Sequence, residues 1–188
     1  MTAPYEKTGR SRVLDNVAAA LQCAAEAFDR DDRTFWLFRG LSMATRRKII
    51  IDTDPGQDDA VAILLALGSP ELEVVGVTCV AGNVPLPLTS RNARIVCELS
   101  GRHDIRVFAG CEKPMKRRLV TAEHVHGKTG LDGIALPEPA MPLDPQHAVD
   151  FLIETLREEP PGSVTLCALG PLTNVATAFA KAPDIVAR

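Results

Sequence analysis

The sequence predicts an α/β fold, a doubly wound, Rossmann-like and mostly parallel sheet flanked by helices. Three observations predict it. Short continuous apolar runs such as Lys48-Ile-Ile-Ile-Asp52 have the character of strands buried on both faces. Stretches with apolar residues at helical spacing alternate with these runs, which implies right-handed crossovers and a parallel sheet. Glycine and proline mark several of the joins, as Gly68, Pro70 and Gly101 do.

Taken in order, the first strand spans 48–52. A helix over 58–67 follows, with Ala60, Val61, Ile63, Leu64, Leu65 and Leu67 mostly apolar, and Gly68 and Pro70 stop it. Residues 72–80 give a second strand. Residues 89–99 give a helix with Ala93, Val96, Cys97 and Leu99 on one side and Gly101 just past its end. A third strand covers 106–109, and 112–142 is loop-rich. A helix over 147–157, a strand over 163–168 and a helix over 172–180 complete the pattern. Sheets of this kind bind ligands at the carboxyl ends of their strands, so the chemistry is expected just after Ile51, Val80 and Ala168.

Residues 1–46 stand apart as an N-terminal appendage ahead of a domain over 47–188. They carry seven Lys/Arg against six Asp/Glu and hold the only Trp and the only Tyr, Trp36 and Tyr5. Val13, Leu14, Val17, Leu21, Ala24, Ala25 and Phe28 recur at helical spacing and predict an amphipathic helix over 12–28. The aromatic patch Phe35-Trp36-Leu37-Phe38 follows it.

The chain has 188 residues, 46% hydrophobic and 24% charged, enough for one domain with a sizeable core. A net charge of −3 leaves no electrostatic footprint for nucleic acid. The one basic cluster, Lys113, Lys116, Arg117 and Arg118, lacks interleaved aromatics and reads as a solvated loop. Five scattered cysteines, with no CxxC pair, suit a reducing compartment. No apolar run reaches the roughly 18 residues of a membrane span, and no signal-peptide pattern opens the chain. A soluble cytoplasmic protein with no membrane partner is expected.

The strongest chemical feature is Asp52-Thr-Asp54-Pro-Gly56-Gln-Asp58-Asp59. Four carboxylates in eight residues, where a strand ends and a helix begins, repel one another unless something neutralises them. A tight acidic loop is what a hard divalent cation needs, and Ca²⁺ takes roughly six to eight oxygens with modest geometric demands. The helix dipole accounts for an acid such as Asp58, but not for four beside a buried strand. Taken singly, Asn83 after Gly82 is a common turn residue, and Asn174 after Pro171 would satisfy nearby backbone. His124 and His126 have no Cys or third His nearby to complete a zinc site.

The run Ile-Ile-Ile-Asp-Thr-Asp-Pro-Gly-Gln-Asp-Asp-Ala resembles the N-terminal signature of the inosine/uridine-preferring nucleoside hydrolases. Three further segments resemble that family in register: Thr78-Cys-Val-Ala-Gly-Asn83-Val, His124-Val-His126-Gly127-Lys-Thr-Gly130-Leu, and Leu169-Gly170-Pro171-Leu-Thr173-Asn174. The resemblance implies Ca²⁺-dependent cleavage of the N-glycosidic bond of ribonucleosides, giving free base and ribose. It implies that Asp54 is both a calcium ligand and the general base for the attacking water. Asp59 and the backbone carbonyl of Leu169 would also bind calcium. Asp58 would hold a ribose hydroxyl, and Asp52 would support the loop. Asn83 would line the ribose side of the pocket, and His126 the side of the leaving base. Dimers or tetramers would be expected.

An Asp-x-Asp after a strand also suggests haloacid-dehalogenase phosphatases. There a Thr or Val follows two positions after the second Asp, whereas Gly56 stands here and Asp58-Asp59 would have no role. Members of the nucleoside hydrolase family run further, supplying an Asn/Glu/Asn cluster and a late His-Asp pair without counterparts here. The expectation is therefore a C-terminally truncated domain with impaired catalysis. The alternative is a non-catalytic nucleoside- and metal-binding fragment, or a subunit completed by a partner chain. Either would leave Val164–Ala168 as an exposed hydrophobic edge.

Overall fold

The computed structural model describes residues 46–133 and 135–188. The helix expected over 12–28 and the aromatic patch at 35–38 lie outside the described residues. Four parallel strands form one sheet: β1 (Arg47–Thr53), β2 (Leu72–Cys79), β3 (Val107–Ala109) and β4 (Val164–Ala168), in the order β3-β2-β1-β4. Between them run α1 (Gln57–Gly68), α2 (Leu86–Leu99), the short α3 (Glu123–His126) and α4 (Ala148–Glu158). α5 (Thr173–Lys181) and a 3-10 turn (Pro183–Ala187) follow β4.

Side-chain alternation along β1 explains the layering. Ile49 and Ile51 pack into one core with Ala60, Ile63 and Leu67 of α1 and Ala93 and Val96 of α2. Ile50, between them, enters a second core with Phe151 and Leu152 of α4 and Ala178 of α5. Successive strand residues point to opposite faces, so an unbroken apolar run is what a sheet covered on both sides requires. The second core centres on Phe108, stacked on Phe151 with ring centroids 3.8 Å apart. A Cβ at Gly76 would come within 2.8 Å of the Phe151 ring, so β2 makes room for that stack by lacking a side chain there.

Among the described residues the expected elements are present, with shifts at their ends. α2 begins at Leu86, three residues before 89, because Pro87 is tolerated in the first turn, where its missing N–H has no partner to lose. The loop-rich stretch 112–142 contains α3, which carries both His124 and His126. Among the described residues β4 pairs only with β1 and is an edge strand, with Val164, Leu166 and Cys167 half-buried and Leu169 beyond them 45% exposed. Cys79, Cys97, Cys111 and Cys167 are free thiols. Among the described residues no helix is long and apolar enough to cross a membrane.

Candidate active site

The carboxyl ends of β1, β2 and β4 meet around Asp54. Pairing of β1 with β2 sets Asp52 opposite Thr78 and Thr53 opposite Cys79, and pairing with β4 sets Asp52 opposite Ala168. The Asp52 carbonyl accepts the N–H groups of Leu169 (2.8 Å) and Gly170 (3.1 Å), which brings the turn after β4 against the acidic loop. Two glycines then admit the Asp54 carboxylate. A Cβ at Gly82 would lie 2.0 Å from Asp54 Oδ2, and one at Gly170 would lie 2.7 Å from Oδ1. Any side chain at either place would displace the carboxylate.

Asn83 clamps Asp54 twice. Its backbone N–H donates to Asp54 Oδ2 at 2.7 Å, and its side-chain Nδ2 donates to the Asp54 carbonyl at 3.0 Å. The Asn83 amide is thus committed to holding Asp54 in place. Asp54 is 5% exposed. Burial, with added repulsion from Asp59 and Asp58, raises its carboxyl to about 7 against the lowering effect of the Asn83 N–H. Asp59, buried in the first turn of α1, is pushed up by burial and then by the charge of Asp58. Asp58 itself is exposed at the start of the same helix.

Asp52 faces the interior. Its Oδ1 accepts from Thr78 Oγ1 at 2.6 Å and Asn174 Nδ2 at 2.8 Å, while the buried Oδ2 has no hydrogen-bond partner. Burial raises its pKa, opposed by those two donors. His126 packs on the turn at Gly56, where a Cβ would come 2.6 Å from its Nδ1. Gln57 Nε2 donates to the Asp132 carbonyl at 3.3 Å, which orients Gln57 Oε1 toward His126 Nδ1 at 2.9 Å. In that arrangement Nδ1 carries the proton and donates, leaving Nε2 free. Gly127, with φ of 82°, turns the chain after α3 in the left-handed region that glycine favours.

Two residues hold this arrangement that residue types alone did not single out for it. Asn174, fully buried, donates to Asp52 Oδ1 and to the Cys79 carbonyl (3.0 Å), and accepts from the Cys111 N–H (2.8 Å). It does satisfy backbone, but that of β2 and of the residue beyond β3, not of its own helix start. Asn92, on the buried side of α2, donates to the carbonyls of Pro55 (3.1 Å) and Thr129 (2.8 Å), tying the acidic turn to the His126 loop. The available signal was an Asn among the apolar positions of an otherwise core-facing helix.

Among the described residues, none of the four Asp carboxylates at 52, 54, 58 and 59 is paired with a Lys or Arg. Oxygen donors lacking a counter-charge, with Asp54 and Asp59 buried and pushed up, suit a hard cation better than a thiophilic one. No group of three or more His, Cys, Asp or Glu side chains forms a metal cage among the described residues. The geometry explains this, since Asp52 turns inward and Asp58 outward. A cation here would draw on Asp54, Asp59 and the Leu169 carbonyl, with its remaining ligands from water, substrate or other polypeptide.

A parallel Rossmann-like sheet with a buried, unneutralised acidic loop at its strand ends defines an α/β domain whose candidate site lies at the carboxyl edge of the sheet. The family described as inosine-uridine preferring nucleoside hydrolase matches residues 49–188. The chain belongs to that family. It is 44% identical over 143 residues to the inosine-uridine preferring nucleoside hydrolase of Crithidia fasciculata, covering 76% of this chain and 45% of that protein. It is 46% identical to uridine nucleosidase 1 of Arabidopsis thaliana, covering 74% and 41%. A solved plant nucleoside hydrolase superposes with a TM-score of 0.70 at 42% identity, covering 74% of this chain and 44% of that one. The chain spans less than half the length of these relatives.

Proposed function

We propose that this chain forms the cation-binding and water-activating half of a ribonucleoside hydrolase centre. The completed domain would cleave the N-glycosidic bond of purine or pyrimidine ribonucleosides to free base and ribose. The observation that carries this reading is Asp54, a carboxylate buried at the meeting of β1, β2 and β4, clamped by Asn83 and raised to about 7. The cation we infer is Ca²⁺, held by Asp54, Asp59 and the carbonyl of Leu169. When bound, it would supply positive charge that makes a coordinated water more acidic.

The residues do the rest. Asp54 accepts the proton of the attacking water, and a bound cation would hold its carboxylate in the ionised form that this task needs. Asn83 keeps its carboxylate from rotating. Asp58, exposed at the head of α1, holds a ribose hydroxyl. The acidic loop stabilises positive charge developing on the sugar, as carboxylates do in glycoside hydrolysis. His126, its Nδ1 engaged by Gln57, keeps Nε2 for the side of the leaving base.

The open edge of β4, together with coverage of 45% of the Crithidia relative, supports a second reading. In it the chain binds cation and nucleoside but turns over slowly until further polypeptide completes the domain. Calorimetric titration of Ca²⁺ into the chelator-stripped chain, beside Asp54→Ala, tests the site, and inosine added afterwards tests the substrate class. Binding to the parent alone is expected. Equal binding to both chains, or none to either, would remove the basis for the proposal. Hydrolysis of inosine or uridine by this chain alone at about 1 s⁻¹ or faster, an ordinary enzyme turnover, would overturn the impaired reading.

A further inference from the structure

The basic segment 113–118 borders the site. A cavity of about 560 Å³ lies between this segment and the start of α5, lined by Lys116, Arg117 and Arg118 on one wall and by Gly82, Pro171 and Leu172 on the other. Its volume falls in the range of small-molecule sites. Gly82 belongs to both places: it lines the cavity, and its Cα is so close to Asp54 that a Cβ would meet Oδ2 at 2.0 Å and Pro171 Cγ at 2.9 Å. The cavity therefore adjoins the acidic site. The far end of the loop is pinned there too, by the Ala122 N–H on the Asn83 carbonyl at 2.8 Å.

The charges in this wall are unspent. Among the described residues Lys113, Lys116, Arg117 and Arg118 form no ion pair, although the chain is net negative. A neutral nucleoside gives such a wall nothing to bind. An anion does, because Arg and Lys make charge-assisted hydrogen bonds to phosphate oxygens while their alkyl stems line the apolar part of a cavity. His126 packs on the Gly56 side of the acidic turn. A sugar held at Asp54 would lie beside this wall, because Gly82 borders both the carboxylate and the cavity.

We infer that this cavity receives a phosphate borne on the sugar, so that the ligand bound most tightly is a phosphorylated ribonucleoside. The inference rests on the proposed nucleoside reading of the acidic site and adds the anionic group to it. It is tested by calorimetry on the 188-residue chain with Ca²⁺ present, comparing inosine, inosine 5′-monophosphate and inorganic phosphate at low and moderate salt. One charge-assisted contact predicts about tenfold or more tighter binding of the monophosphate than of inosine, shrinking as salt rises.

The Lys116→Ala/Arg117→Ala/Arg118→Ala variant is expected to bring the monophosphate to parity with inosine and to leave inosine binding unchanged. The Arg117→Lys/Arg118→Lys variant, which keeps the charge, is expected to preserve most of the difference. Parity in the parent chain, or a difference that survives the triple alanine variant, overturns the inference. Inorganic phosphate binding as tightly as the monophosphate would also overturn it, by assigning a free-anion site unconnected to the sugar. If neither inosine nor the monophosphate binds, the nucleoside reading itself fails, an outcome distinct from inosine binding without a phosphate preference.

Discussion

The two flanks of the acidic loop differ in how they are finished. On the β2 and α2 side the interior is tightly packed: Val77, Cys79, Val96 and Cys97 are fully buried, and Asn92 ties the acidic turn to the loop after α3. On the β4 and α5 side the sheet, among the described residues, ends in an unpaired edge, with Leu172 60% exposed and Phe179 37% exposed. Yet Asn174, from that open side, donates to Asp52 Oδ1 and to the Cys79 carbonyl. The open flank is thus structurally integrated at its inner face and unfinished only at its outer one. A substitution's cost should follow that division and not its distance from Asp54.

The sharpest contrast comes from the buried aromatic stack. Phe108→Ala removes the partner of Phe151 from a fully buried position and is expected to cost about 3–5 kcal/mol in urea unfolding. Asn174→Ala is expected to cost about 2–4 kcal/mol, since it orphans the Cys111 N–H and the Cys79 carbonyl and leaves Asp52 with one donor. A loss below about 0.5 kcal/mol, the level of an ordinary surface change, would break the claim that the inner face of α5 is integrated. Gly82→Ala forces the Asp54 carboxylate aside and is expected to weaken Ca²⁺ binding by about tenfold to a hundredfold. Calorimetry of parent and variant measures this.

A smaller effect should appear in pH. Asp54 is raised from the ordinary carboxylate range to about 7, so the folded chain binds its proton more tightly than the unfolded one. The stabilisation is fully present below the ordinary carboxylate value and is lost as pH rises through about 7. The melting temperature of the metal-free chain is expected to fall across that window. The slope should be shallower in Asp54→Asn, with Asp52 and Asp59, also raised, supplying the remainder. A flat profile in the parent chain would contradict the buried, unneutralised site. Smallest of all, Leu172→Ser on the outer face is expected to change stability by no more than about 0.5 kcal/mol while improving solubility.

The strands and helices were legible because their periodicities are local. The isoleucines of β1 and the Ala60, Ile63 and Leu67 spacing of α1 carry their own geometry. The start of α2 was not, since proline reads as a loop signal unless one knows that it occupies the first helical turn. Asp52, Asp54, Asp58 and Asp59 were visible as a run, and their separation into inward, central and outward positions was not. That division is set by partners such as Thr78 and Asn174, which lie 26 and 122 residues from Asp52. Asn92 escaped notice for the same reason, acting on Pro55 from 37 residues away.

The span between Asn174 and Asp52 also has a consequence for time. Before α5 docks, Asp52 lacks one of its two donors and the Cys79 carbonyl lacks its Asn174 partner. Contacts across 122 residues form slowly, because a long loop must close before they return any free energy. The acidic loop, though encoded early in the chain, would reach its working shape only after nearly all of this sequence has been made. During synthesis the carboxylates would emerge first and wait, hydrated and flexible, for the helix that sets them.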